Sequence, residues 1–157
     1  MAGAPRAYVA VVGPGDASPE EESTAEEVGR QLAAAGAIVL TGGHGGVMAA
    51  ASRGATEAGG LTVGILPGDD RNRANEWVDV AIPTGLGELR NGLIVRAADV
   101  LIAVGGAYGT LSEVALALKT GVPVVALGGW EIDGIKRAEN PTDAVHQALA
   151  ATSESRT

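Results

Sequence analysis

Glu113 and Arg90 are the residues of this 157-residue sequence whose types and settings most suggest chemistry. Glu113 follows the turn Gly105-Gly106-Ala107-Tyr108-Gly109-Thr110-Leu111, which leaves the apolar run VLIAV (100–104) and opens a helix. Backbone N–H groups converge at such a turn, and a helix N-terminus carries partial positive charge, so the turn suits a phosphate. The expected donors are the amides of about Gly109 to Leu111 and the Thr110 hydroxyl. The plainer alternative is a tight strand-to-helix turn that holds nothing. Glu113 would stand at the mouth of the phosphate site as an acid or base. Its spacing also fits a capping box, Thr110-Leu111-Ser112-Glu113, in which the carboxylate folds back onto the cap amide. Arg90, with Asn91 beside it, reads either as a solvated surface arginine or as a two-point clamp for phosphate or carboxylate.

A second turn repeats the pattern. Gly42-Gly43-His44-Gly45-Gly46 follows AIVLT (37–41) and leads into Val47-Met48 and a small-residue helix. Two such turns on one sheet edge suggest a nucleotide-sized cleft between them. His44 is a donor to a phosphate or base, or simply a solvent-facing loop residue. Asp69, Asp70 and Arg71 suit sugar hydroxyls or a cation, or are a solvated acidic loop. No metal set is expected, because His44 and His146 lie far apart and the chain has no cysteine.

The elements that must position these residues follow from periodicity. Short apolar, β-branched runs read as strands at 7–12, 37–41, 61–67, 78–83, 100–104 and 123–127. Segment 128–140 reads as a loop with room for one added edge segment. Helices are expected from Ser18-Pro19-Glu20-Glu21 to Gly36, over about 47–58, 86–98 and 110–120, and from Asn140-Pro141 to about Ala150, followed by a frayed SESRT tail. Segment 68–77 reads as loop. Buried strands alternating with helices imply an α/β, Rossmann-like, doubly wound parallel sheet of six to seven strands, with ligands beyond the strands' carboxyl ends. The turns after Val12, Thr41 and Val104 all fall at that edge. The whole chain, 1–157 with a core at about 7–150, reads as one domain.

Composition narrows the partners. Hydrophobic residues are 46% and charged ones 19%, which suits a folded core, and the net charge is −8. No lysine/arginine cluster offers a groove for a nucleic-acid polymer or an anionic membrane. A small anionic ligand held by backbone amides and one or two arginines is still compatible with this charge. No membrane span or signal peptide is read, which with the absence of cysteine suggests the cytoplasm. Helices 86–98 and 111–118 are apolar on most sides, which suggests packing against another copy as a dimer or tetramer.

These residues together resemble a known superfamily. GGAYGTLSE (105–113) is similar to the PGGxGTxxE signature of the Lonely Guy proteins, once mislabelled lysine decarboxylases, and GGHGGVM (42–48) to that family's first glycine loop. Arg90 and Glu113, 23 residues apart, match its essential arginine and glutamate. The departures are Gly105 for the proline, Ala107 for a glycine, and Asn91 for the lysine of the hydrolases. Segments LPGDDRNRAN (66–75) and IPTGLGELRN (82–91) look closer to a sister group, the molybdenum cofactor carrier proteins. The resemblance implies a cleft for an anionic pterin and a tetramer in the carrier group. In the hydrolases it implies cleavage of nucleoside 5′-monophosphates to base and ribose 5-phosphate.

The expectation is therefore a cytoplasmic homo-oligomer that binds a phosphorylated small molecule, an AMP-like nucleotide or molybdenum cofactor, and needs no cofactor to fold. Its ligand residues would be Gly42, Gly43, His44, Gly45, Gly46, Met48, Arg90, Asn91, Gly105 through Leu111, and Glu113. The rival is a phosphoribohydrolase. There Arg90 holds substrate and orients Glu113, and Glu113 supports water attack at the ribose C1′. A third reading is a nucleotide-sensing or scaffold subunit whose partner does the chemistry.

Overall fold

In the computed structural model, which describes residues 5–155, every apolar run expected to be a strand joins one parallel sheet. The strands are β1 (Tyr8–Val12), β2 (Ile38–Thr41), β3 (Thr62–Leu66), β4 (Val80–Pro83), β5 (Val100–Val104), β6 (Val124–Leu127) and β7 (Lys136–Arg137). Their spatial order is β4-β3-β2-β1-β5-β6-β7. The chain winds outward from β1 to β4, then returns to lay β5 on the other side of β1. The sheet's switch point therefore lies between β1 and β5, where crossovers on opposite faces leave a crevice at the carboxyl ends. β7 is the added edge segment, two residues long against β6.

Five helices cover the two faces: α1 (Pro19–Ala34), α2 (Val47–Glu57), α3 (Arg90–Ala97), α4 (Tyr108–Thr120) and α5 (Pro141–Ser155). Alternation along each strand divides the core. Val9, Val11, Val39, Ile102, Val104 and Val125 face α1, α2 and α5. Ala10, Val12, Leu40, Leu101, Ala103 and Ala126 face α3 and α4. Such strands are buried on both sides, which explains their near-continuous apolar sequences.

α1 starts on the expected capping box. Ser18 Oγ accepts from Glu21 N–H at 3.1 Å, and Glu21 accepts from Ser18 N–H at 3.0 Å. α1 and α2 cross at backbone contact, because a Cβ at Gly29 would meet the carbonyl carbon of Ala51 at 2.8 Å. A Cβ at Gly54 would meet that of Glu26 at 2.9 Å. Asn140 Oδ1 caps α5 by accepting from Asp143 N–H at 2.8 Å.

Several expected boundaries move. The helix expected over 86–98 begins with a separate 3-10 turn, Gly87–Leu89, and the loop 68–77 contains another, Arg71–Arg73, capped by Asp70. α5 runs to Ser155, because its apolar residues Ala144, Val145, Ala148 and Ala151 are buried along the sheet. That replaces the frayed tail as far as the helix reaches. Arg156 and Thr157, and residues 1–4 at the other end, lie outside the described residues. The helix expected from Thr110 begins two residues earlier at Tyr108, with extended Ala107 as its cap and no side-chain cap bond. Among the described residues, no helix is long and apolar enough to cross a membrane.

Candidate functional site

Glycines build the floor of the crevice between β1 and β5. The turn after β1, Gly13-Pro14-Gly15, lies against the start of α2: Val47 N–H donates to Pro14 O at 3.1 Å. A Cβ on Gly13 would meet Val47 at 2.7 Å, and one on Gly46 (φ +63°) would meet Gly15 O at 2.5 Å. Side chains at these positions would separate the two turns. They enclose, with α3 and α4, a cavity of about 210 Å³ lined by Val11, Val12, Gly13, Pro14, Gly15, Gly42, Met48, Arg90, Asn91, Ile94, Ala107, Gly109, Thr110 and Glu113.

Arg90, the first residue of α3, is not a solvated surface arginine. Its guanidinium turns inward and one terminal nitrogen donates at 2.6 Å to both Gly42 O and Ile65 O, tying the ends of β2 and β3 to α3. Its Nε is buried without a hydrogen-bond partner. A cation with a spare buried donor beside a cavity suits an anion. Asn91 donates to Ser112 Oγ at 3.2 Å, and Ser112 in turn donates to Gly109 O at 2.7 Å, so α3 also steadies the first turn of α4.

The capping-box reading of Glu113 fails. With Ala107 as cap, Glu113 lies in the second turn, too far along the helix to reach the cap amide, and Ala107 has no hydroxyl for the reciprocal bond. Glu113 is instead a cavity wall residue, 7% exposed. Burial pushes its carboxyl up to about 8, and the charge of Arg90 opposes that only in part. The two do not form a direct ion pair, since the described ion pairs within 4.0 Å are Arg30–Glu27 and Arg53–Glu26. Burial lowers the pKa of Arg90 from its ordinary value, partly offset by Glu113. Near pH 7 the cavity thus contains a guanidinium and a mostly neutral carboxyl able to donate a hydrogen bond.

The earlier start of α4 also changes which amides are free. Leu111 N–H, expected to face a phosphate, donates to Ala107 O at 2.9 Å. The open N-terminal amides are those of Tyr108, Gly109 and Thr110, the first turn of the helix.

Of the residues singled out from the sequence, Gly42, Met48, Arg90, Asn91, Ala107, Gly109, Thr110 and Glu113 meet at this cavity. The others stand elsewhere. Gly43 is buried, with its N–H on Thr41 Oγ1 at 3.1 Å, and Gly45 and Gly46 press toward Gly15 from behind. Exposed His44 lines a second cavity of about 500 Å³ with Leu66, Pro67, Gly68, Asp69, Asp70 and Arg73. Partial burial and the charge of Arg90 lower its pKa. Gly105 faces Glu21 in a third cavity of about 350 Å³. Gly106 lies under Trp130, Tyr108 projects into solvent, and Leu111 is half-buried. Gly13-Pro14-Gly15 falls at the edge expected for it, though no ligand residue was expected there; two glycines flanking a proline after an apolar run were the available signal. Ile94 and Arg73 offered no such signal.

Comparison with known proteins agrees with this architecture. The model of the SLOG cluster4 family matches residues 6–155. An uncharacterized protein of Archaeoglobus fulgidus is 40% identical over 145 residues, spanning 92% of this chain and 95% of that protein. The molybdenum cofactor binding protein of the phototrophic bacterium Rippkaea orientalis superposes with a TM-score of 0.89 at 37% identity, over 94% of this chain and 98% of that one. The molybdenum cofactor carrier protein of Chlamydomonas reinhardtii gives 0.88 at 36% identity, over 95% and 99%.

Proposed function

This chain belongs to the SLOG cluster4 family, and from that premise we propose that it binds a phosphorylated pterin of the molybdenum cofactor class in the cavity between β1 and β5. The observation that carries the reading is 36–37% identity, over nearly the full length of both chains, to proteins that bind or carry that cofactor. Local chemistry supports it. The glycine floor lets a ligand approach backbone closely. The free amides of Tyr108, Gly109 and Thr110 and the guanidinium of Arg90 suit a phosphate, and the unpartnered Nε of Arg90 is a donor without an acceptor of its own. Neutral Glu113 adds a donor and no repulsion.

The cavity of about 210 Å³ is small for a whole cofactor-sized ligand, typically held in roughly 300–1,000 Å³. It suits the phosphate-bearing end, with the rest of the ligand over the rim. The protein acts in the cytoplasm as a homo-oligomer. Leu86, Leu89 and Leu93 leave an apolar face on and before α3 that a second copy would cover. Hydrolysis is the weaker reading, because the solved structures that resemble this chain at 36–37% identity over nearly their full length are those of cofactor binding and carrier proteins.

Calorimetric titration with molybdenum cofactor, AMP and other nucleotides tests the proposal. Heat on adding the cofactor, lost in Arg90→Met, is the expected result. No heat with the cofactor refutes it. Release of adenine from AMP by the wild type and not by Glu113→Ala would establish the hydrolase instead.

A further inference from the structure

Two of the four aromatic residues in the chain meet at one place. Tyr108 and Trp130 have ring centroids 6.3 Å apart, tilted by 32°. Tyr108 is 85% exposed at the first position of α4, between Ala107 and Gly109, which both line the cavity between β1 and β5. Trp130 is 36% exposed and is joined to the same turn through Ala107. Its Nε1 donates to Ala107 O at 3.1 Å, and its own carbonyl accepts from Arg137 at 2.9 Å. Two glycines allow the approach. A Cβ on Gly106 would meet the indole at 2.9 Å, and one on Gly129 (φ +73°) would meet Gly105 C at 2.6 Å. The loop after β6 is thus pressed against the turn after β5, and the indole is held beside Ala107, a wall residue of the cavity.

Folding alone does not account for Tyr108, whose ring remains in water. A single exposed aromatic is ordinary, but a pair anchored on a phosphate-suited turn is a surface for stacking a flat ring. We propose that Tyr108 and Trp130 form a stacking platform for the planar heterocycle of a ligand whose phosphate lies at the N-terminus of α4. This rests on the cavity being the ligand site, and adds the subsite for the ring. The shared chemistry is a flat heteroaromatic bearing a phosphate, which a pterin or a purine both supply.

The test compares three probes on the full-length protein: a 6-hydroxymethylpterin phosphate, AMP, and ribose 5-phosphate, which has no heterocycle. Each is titrated by calorimetry into wild type and Tyr108→Ala. Stacking on an aromatic is worth about 1–3 kcal/mol per base by alanine substitution, which is about 5- to 150-fold in affinity. The expected result is a loss of that size for the pterin phosphate, AMP or both, with ribose 5-phosphate unchanged. Which probe loses affinity identifies the ring. The same ligand should quench tryptophan fluorescence in the wild type, and the quenching should vanish in Trp130→Phe, which keeps a ring but removes the reporter.

Equal losses for all three probes, or none, overturn the platform while leaving the cavity as the binding site. A change in oligomeric state in Tyr108→Ala with affinities unchanged assigns the pair to an interface and also overturns it. Binding of no probe by the wild type overturns the cavity as a site, and the platform with it.

Discussion

Replacing Glu113 with glutamine should make this protein more stable, and increasingly so as pH rises. The buried carboxyl is pushed from its ordinary value of 4.5 to about 8. The folded state therefore binds a proton more tightly than the unfolded chain does. Between those two values the folded state holds more protons, so stability falls as pH rises, by about 1.4 kcal/mol per pH unit, and the loss is complete above pH 8. Below pH 4.5 both states are protonated and the effect is absent. Over the full window the loss is on the order of 5 kcal/mol. Glutamine keeps the size and donor capacity of the protonated acid and does not titrate. The gap between variant and wild type should therefore grow by about 3 kcal/mol between pH 5 and pH 8. Urea unfolding at both pH values measures it as a widening difference in midpoint at constant m-value. Parallel loss of stability in the two proteins would refute the argument, because Glu113 would then be ionised in the folded state at neutral pH. The same titration bears on binding. An anionic ligand should be held more weakly by the wild type above pH 8, where Glu113 joins the cavity as a negative charge, and the glutamine variant should lose that dependence.

Two other outcomes follow from packing. Gly29→Ala should cost about 3 kcal/mol, a fall in Tm of roughly 6–12 °C by calorimetry, because the new methyl group meets the backbone of Ala51 and neither helix can yield locally. Leu89→Glu, at a residue 77% exposed, should change unfolding free energy by less than about 0.5 kcal/mol while lowering the mass measured by sedimentation. An unchanged mass would remove the 3-10 turn that precedes α3 from the interface.

Much of the fold was legible because its signals are local. A β-branched apolar run such as VLIAV declares a strand buried on both faces. Ser18-Pro19-Glu20-Glu21 contains a whole helix start within four residues, and both bonds of its box are present. The start of α4 was misplaced for the same kind of reason. Thr110 and Glu113 have the spacing of a capping box, and local pattern cannot say that Ala107, without a hydroxyl, begins the helix. Burial decided it: Thr110 and Glu113 are both enclosed, so neither is at a frayed end.

The sequence by itself determined a parallel sheet, the succession of strands and helices along the chain, and the edge where glycines gather, because periodicity and turn chemistry act over a few residues. Only the tertiary structure decided what those glycines face. Arg90 reaches carbonyls at Gly42 and Ile65, 48 and 25 residues away. Trp130 reaches Ala107 across 23 residues. Glu113 owes its protonation to burial among elements distant in the chain. Charge, exposure and hydrogen bonding at a site are sums over neighbours in space, and the wound sheet brings those neighbours together only once the crossovers have closed.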